Sequence, residues 1–590
     1  MKMKPLSSTR VQQCVGKVLA PILVVLAAFA AFLPALRNGF VWDDSLIVQS
    51  TGWRGFGWEN LKWMFAPRSF VKYQPVVWLS YAVDRRFWGM DPYGWHLSNL
   101  ILHALTAVVL YSVCLRLLVR AARTPAESAF WELRLAAGFA ALVFAVHPLR
   151  VESVAWISER GDILSGFFSL LTVGAYLRAC ETAPDPAARR CWTVLSLSFF
   201  AFALLSKASG VGLPLVLLAL DFYPLNRLSS EGVRPVWTEK LPYFLLAAAA
   251  GVVGYLGQAR SGAIRSLEKF GFGARAAQAF YGLVFYVHKT LLPTRLSPMY
   301  ELPDPFHPLA AKFILSGIAA AALGAWLFAL RRSRPGAFAA GFCYLAIVAP
   351  VLGVVPIGHQ LVADRYSYLS CMAWAILAGA VFIRAHRRWP GGVRVMAFGA
   401  VSALAFLTWR QTRIWHDEFS LWSAALAAYP QSAIAENNLG LDLMGHGKYD
   451  EAERHFRRAL EMRPAYAEAV SNLGDIDYVH ARGDEALRKY ERALAINPGL
   501  SSVDLNIAII LMKRGEFARA IGRCGRALAI NPDYFDAINT MGVAYLNLGN
   551  LTEARKRFLD ALKIRPDSAD ARQNIILLDQ MEHRRIQSHP

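Results

Sequence analysis

Residues 433–466 read AIAENNLGLDLMGHGKYDEAERHFRRALEMRPAY, and the same 34-residue pattern returns three times behind them. Prolines stand at 430, 464, 498, 532 and 566, each 34 residues from the next. Ala-Leu pairs recur at 459–460, 493–494, 527–528 and 561–562, and single alanines at Ala452, Ala486, Ala520 and Ala554. A large residue fills one slot at Phe456, Tyr490 and Phe558, with Cys524 as the odd member. A glycine slot is filled by Leu439-Gly440, Leu473-Gly474 and Met541-Gly542, where the third repeat has Ile507-Ala508. A fixed period of this length marks repeated helix pairs. No pair buries its apolar face alone, so neighbours stack into a solenoid. Proline ends the second helix because it lacks an N–H and clashes with the preceding turn. The spacing predicts repeats at about 433–466, 467–500, 501–534 and 535–568, and a capping helix at 569–586.

This pattern resembles the tetratricopeptide repeat. Asn438, Asn472 and Asn506 also recur at period 34, on the first helix of each pair, with Thr540 in the fourth slot. Evenly spaced amides on a concave face suit the backbone of an extended acceptor peptide. The other reading is that they pack or cap between helices.

Working outward, the composition changes sharply upstream. The chain has 590 residues, 55% of them hydrophobic, and a net charge of +20. Residues 413–590 hold 23 Lys+Arg against 24 Asp+Glu, so the basic excess lies in 1–412. There the basic residues flank apolar runs, the positive-inside pattern of a membrane protein rather than a nucleic-acid surface. Seven cysteines show no CxxC and no zinc spacing, and read as small apolar filler.

A bilayer core needs about 20 apolar residues per helix. Such runs lie at 15–36, 97–119, 134–148, 162–180, 191–206, 210–224, 241–258, 310–330, 336–356, 367–385 and 393–410. The stretch 277–292 is amphipathic and is expected to lie at the interface. If it does not cross, the clusters Arg331-Arg332-Ser333-Arg334 and Arg384 to Arg388 share the side of the basic N-terminus. The expected fold is therefore all-α: a polytopic bundle of about eleven spans over 1–412, then an α-solenoid over 413–590. The N-terminus is expected in the cytoplasm and the repeats outside, in the periplasm if the membrane is a bacterial inner membrane.

Ionisable groups beside spans are costly and often functional. Four clusters fall on the outer side of this topology. Asp43-Asp44 follow the first span; paired acids serve as a general base or hold a divalent cation. His147, Arg150, Glu152, Glu159, Arg160 and Asp162 crowd one hairpin. Lys207 stands between two apolar runs, and Asp364, Arg365 and Tyr368 precede the tenth span. Arginine and lysine here suit a phosphate, Arg bidentately. Solvated turns, snorkelling and salt-bridged loops are the plainer readings of each cluster taken alone.

The ordered set Asn38-Gly39-Phe40-Val41-Trp42-Asp43-Asp44, Tyr73-Gln74-Pro75, Asp91-Pro92-Tyr93-Gly94-Trp95-His96, His147-Pro148, Ser158-Glu159-Arg160, Ser206-Lys207 and Ala363-Asp364-Arg365-Tyr366 resembles the transmembrane, tetratricopeptide-containing O-mannosyltransferases. The resemblance implies a GT-C glycosyltransferase fold. It also implies a polyprenyl-phosphate sugar as donor and a protein Ser or Thr hydroxyl as acceptor. On it, Asp44 is the expected base with Asp43 as alternate, and Arg365, Lys207 and Arg160 hold the donor phosphate. His147, Arg150, Glu152, Glu159, Asp162, Asp364, Tyr368 and His96 support the site. No organic cofactor is expected, and metal dependence stays open. One departure is Gln74, where the family often has arginine. The rival readings are a membrane-anchored scaffold without enzymatic activity and a transporter of lipid-linked sugars.

Overall fold

The computed structural model describes residues 8–49, 52–66, 73–122, 130–260, 264–265, 270–354 and 358–588. It divides into two compact units, Met1–Tyr429 and Pro430–Pro590.

In the first unit, seven helices among the described residues are long and apolar enough to cross a membrane. They are Val18–Arg37, Pro92–Ala122, Ile157–Glu181, Pro186–Ser206, Val233–Ala259, Ala311–Ala329 and Pro390–Arg413. Two further pairs qualify only as broken spans: Trp131–Ala145 with Pro148–Ala155, bent by 55°, and Asp364–Ser370 with Met372–Arg388, bent by 57°. Ala208–Phe222 and Pro335–Val351 are shorter apolar helices. These elements occupy the eleven apolar runs of the sequence. Their burial separates centre from rim. Ile157–Glu181 is buried over 67% of its apolar window, whereas Pro390–Arg413 is buried over 6%. Phe398 and Val395, both exposed, would be a liability in water and are at home among acyl chains.

Both bends fall where the sequence turns polar. At the first, Pro148 has no N–H to continue the ladder. The His147 ring accepts a hydrogen bond from the Leu149 N–H and starts a new turn. The amphipathic stretch forms the helix Phe272–Leu291, which is not among the apolar spans. It packs against segment 360–363 instead. Gln278 donates to the Leu361 carbonyl at 3.0 Å, and Tyr286 Oη accepts from the Ala363 N–H. Two short strands, Tyr300–Glu301 and Gln360–Val362, pair antiparallel beside it.

The second unit is four helix pairs and a final helix: Ala433–Gly445 with Tyr449–Met462, Ala467–Val479 with Gly483–Ile496, Ser501–Lys513 with Phe517–Ile530, Phe535–Asn547 with Leu551–Ile564, then Ala569–Ser588. The glycine slot has a steric cause. A Cβ on Gly440, Gly474 or Gly542 would sit 2.7, 2.8 or 2.6 Å from the ring of Phe456, Tyr490 or Phe558. In the third repeat the ring is replaced by Cys524, and there alone the glycine slot holds Ala508; both are fully buried. The unit boundary lies at 429/430 rather than 412/413. Helix Glu418–Ala428 buries Leu421, Trp422 and Ala425, and Trp422 packs on Trp42 of the first unit.

Candidate active site

The four polar clusters meet. Asp44 opens a short helix after the first span, and its carboxylate reaches the hairpin 114 residues later. Oδ1 accepts from the Ser158 N–H at 2.8 Å and from the Ser158 hydroxyl at 2.6 Å. Oδ2 accepts from the Val41 N–H at 3.1 Å. Asp44 is fully buried, whereas its neighbour Asp43 is partly exposed. Burial pushes the Asp44 carboxyl up to about 7; the bonds from Ser158 and Val41 oppose the rise, and the Asp43 charge adds to it.

Beside this pair runs a chain of charges. Lys207 caps the helix Pro186–Ser206 and bridges Glu159 and Asp162, the latter at 2.8 Å. Glu159 in turn faces the Arg365 Nε at 3.5 Å. Arg365 pairs with Glu152 through Nη1, its backbone N–H donates to Glu152 Oε2 at 2.8 Å, and Nη2 donates to Gln360 at 2.7 Å. Its guanidinium lies over the rings of Trp156 and Tyr366, 5.5 and 5.0 Å from their centroids. The turn carrying Lys207 can lie this close because residue 161 is glycine. A Cβ there would stand 3.1 Å from the Ser206 carbonyl and 3.4 Å from the Gln74 side chain.

Other expected residues brace this site. Arg150 donates to the Ser367 carbonyl and hydroxyl, each at 2.8 Å, and is stacked on Phe144 and Tyr368. Tyr368 is bonded to His103 at 2.8 Å, and Asp364 accepts from Tyr300 at 2.9 Å. His147 Nε2 faces the Thr290 carbonyl at 3.0 Å, and His96 the Gly39 carbonyl at 3.3 Å. Asp162 also accepts from Ser153 at 3.3 Å.

Arg160 corrects an expectation. Its guanidinium is buried and spoken for: Nη2 by Asp84 and the Trp95 carbonyl, Nε by Asn99 at 2.6 Å, Nη1 by Ser80 at 3.3 Å. It lies against the rings of Tyr81 and Trp95 and has no face left for a donor phosphate. Asp84 and Tyr300 escaped the sequence reading. Nothing in their local patterns distinguishes them from ordinary helix and loop residues. Among the described residues, no three His, Cys, Asp or Glu side chains form a metal-holding group.

In the repeats, the spaced asparagines reach backward along the stack. Asn472 donates to Asn437 Oδ1 at 2.8 Å, and Asn506 donates to Asp475 Oδ1 at 2.9 Å. Asn438 accepts from Asn437 at 3.3 Å. Asn574 on the final helix repeats the move toward Asn539 at 3.2 Å. The amide donors of Asn472 and Asn506 are thus used between helices.

Fold and site together define a mainly helical, multi-pass membrane protein with a buried polar centre in its first unit and a tetratricopeptide solenoid as its second. The tetratricopeptide repeat models match residues 437–501 and 511–574. Apart from these models, the chain is similar to proteins named protein O-mannosyl-transferases. It is 24% identical over 460 residues to Protein O-mannosyl-transferase Tmtc3 of Drosophila melanogaster, covering 67% of this chain and 49% of that one. It is 27% identical over 233 residues to Protein O-mannosyl-transferase tmtc2 of Xenopus laevis, covering 38% and 26%. The chain thus spans about half or less of these relatives' length. Among solved structures, the crystal structure of MamA aligns at 24% identity with a TM-score of 0.23, over 25% of this chain and 86% of that one.

Proposed function

We propose that this protein is a membrane glycosyltransferase that moves a hexose, mannose in the first instance, from a polyprenyl-phosphate carrier to a Ser or Thr hydroxyl of a protein. The observation that carries the reading is the meeting of the acidic loop with the Lys207–Glu159–Arg365 chain, from four separate stretches of sequence. The names of the relatives point the same way.

In this mechanism Asp43 takes the proton from the acceptor hydroxyl. The hydroxyl oxygen attacks the anomeric carbon, and the bond from that carbon to the phosphate oxygen breaks. The electron pair leaves with the lipid phosphate, and the configuration inverts. Asp43 takes precedence over Asp44 because it is the partly exposed member, while the Asp44 oxygens hold Ser158 and Val41. Asp44 then acts as a positioning residue whose negative charge also strengthens Asp43 as a base. Lys207 and Arg365 neutralise the phosphate as charge builds on it. No step runs through a divalent cation. The repeats hold the acceptor segment, with Asn472 and Asn506 offering carbonyl oxygens to its backbone N–H groups; that of Asn438 already accepts from Asn437. The site faces the outer side of the membrane, the periplasm in a bacterium.

The test is sugar transfer from radiolabelled polyprenyl-phosphate mannose to acceptor protein in membranes carrying Asp43→Asn. Loss of a general base typically costs about 10²–10⁴-fold in rate. Undiminished transfer by a folded variant rejects the base assignment. A scaffold would keep its cellular role in this variant, and an enzyme would lose it.

A further inference from the structure

We infer that Glu418 is a positioning residue that latches the acidic loop in its working conformation; this rests on the transferase reading above. The loop is held from one direction by segment 412–422, which follows the last span. Asn38 Nδ2 donates to the Thr412 carbonyl at 3.2 Å, and the Gly39 N–H donates to the His416 carbonyl at 2.9 Å. Glu418 makes the central tie with both carboxylate oxygens. Oε1 accepts from the Trp42 N–H, and Oε2 accepts from the indole N–H of Trp422 at 2.6 Å. The Trp42 ring lies against both Trp156 and Trp422. It stacks on Trp156 at 4.5 Å between centroids and meets Trp422 edge-on at 4.9 Å. Asp417 stiffens the latch by capping its helix, Oδ1 accepting from the Ser420 N–H at 2.8 Å.

What needs latching is the backbone of Trp42. Its φ is +54°, the left-handed region that a bulky side chain avoids. Such a conformation persists only where its surroundings over-determine it, and it clusters at functional sites. Here it sets the direction of the next residue, Asp43. The Trp42 N–H lies in the peptide plane ahead of this rotation, so the Glu418 carboxylate holds the plane from which the turn toward Asp43 departs. Glu418 touches neither sugar nor phosphate in this scheme; it acts through Trp42.

The test uses the full-length protein in membranes or detergent, with Glu418→Ala and Glu418→Gln. The glutamine keeps the size and one acceptor oxygen but turns an –NH2 toward the second donor. Two readouts are taken: steady-state transfer from polyprenyl-phosphate mannose, and hydrogen exchange of the 38–49 segment. Displacing a reacting group by about an ångström costs on the order of a hundredfold. Glu418→Ala is therefore expected to lower kcat by that order at unchanged donor KM, with Glu418→Gln intermediate. Exchange should rise in residues 38–49 and stay unchanged in the other spans. Unchanged exchange in that segment overturns the latch whatever the activity, and unchanged kcat in both variants overturns its role in the reaction. A general loss of protection in both variants also overturns it, because Glu418 would then merely hold the fold. Faster exchange confined to 38–49, in a protein whose wild-type form transfers no sugar, sinks the transferase reading and leaves the latch standing.

Discussion

Ser158→Ala probes the acidic pair without touching either acid. Its hydroxyl donates to Asp44 Oδ1 at 2.6 Å, in a fully buried setting where burial has already raised that carboxyl to about 7. A hydrogen bond to a charged group contributes about 1.5–3 kcal/mol. One pKa unit is about 1.4 kcal/mol, so losing the bond moves Asp44 up by about one to two units. The sign follows from the state that the bond favours: it stabilises the carboxylate, so its loss favours the acid. The ionised fraction at pH 7 falls from about one half to roughly a tenth or less. A protonated Asp44 gives up one acceptor oxygen among three donors and withdraws the charge that strengthens Asp43. The acid limb of kcat/KM, which reports the free enzyme, should then move from about pH 7 to about 8–9. Activity lost at pH 7 should return by pH 9. The assay is initial-rate transfer from subsaturating lipid-phosphate mannose across pH 5.5 to 9.5, beside wild type and Asp44→Asn. An acid limb that stays put, or moves down, refutes the role given to Asp44.

Stability carries the same group with the opposite sense: between its ordinary value of 3.8 and about 7, folded Asp44 binds a proton that the unfolded chain releases. Thermal stability should therefore fall as pH rises through that window, and Asp44→Asn should flatten the slope in a melting series. Arg365→Lys keeps the charge but loses the fork that spans Glu152, Glu159 and Gln360. Leaving a buried carboxylate short of its partner costs about 3–5 kcal/mol, so a lowered melting temperature and a weaker donor KM are expected together. Gly474→Ala should destabilise the second repeat by about 1–3 kcal/mol through overpacking on Tyr490. Adding Tyr490→Cys should relieve the clash, as Ala508 with Cys524 does in the third repeat, read by hydrogen exchange in 467–496. Asn472→Ala with Asn506→Ala should raise acceptor KM about thirtyfold and leave donor KM unchanged, each lost hydrogen bond contributing about 1 kcal/mol.

The repeats were legible because their spacing is the structure: a 34-residue period with glycine opposite a ring leaves few arrangements. The spans were legible because length and apolarity are what a bilayer demands. The convergence of the four polar clusters followed from placing span ends on one side. Partner choice was not legible. Arg160 read as a phosphate ligand because its residue type suits one, yet Asp84, 76 positions earlier, neutralises it inside the fold. The difference in burial within Asp43-Asp44 was equally hidden, since adjacent identical residues differ only in which way the chain turns, and the contacts that bury Asp44 come from Ser158, 114 residues away. Helix Glu418–Ala428 looks soluble in the sequence, yet its Trp422 packs on Trp42 within the first unit.

The charge balance of the centre bears on how an anionic donor enters. Lys207 and Arg365 face Glu152, Glu159 and Asp162, so the cluster already holds one more carboxylate than cations. Adding a phosphate outright would crowd negative charge into a low-dielectric site. The contacts are not equal, however. Glu152 is pinned by the Arg365 backbone N–H as well as its side chain, and Asp162 by Ser153 as well as Lys207. Glu159 reaches Arg365 through a 3.5 Å contact and shares Lys207 with Asp162. On the transferase reading, the phosphate competes with these carboxylates for the same two cations. The three carboxylates hold the Lys207 and Arg365 side chains in place, and groups held in place before reaction are the preorganisation that electrostatic catalysis requires.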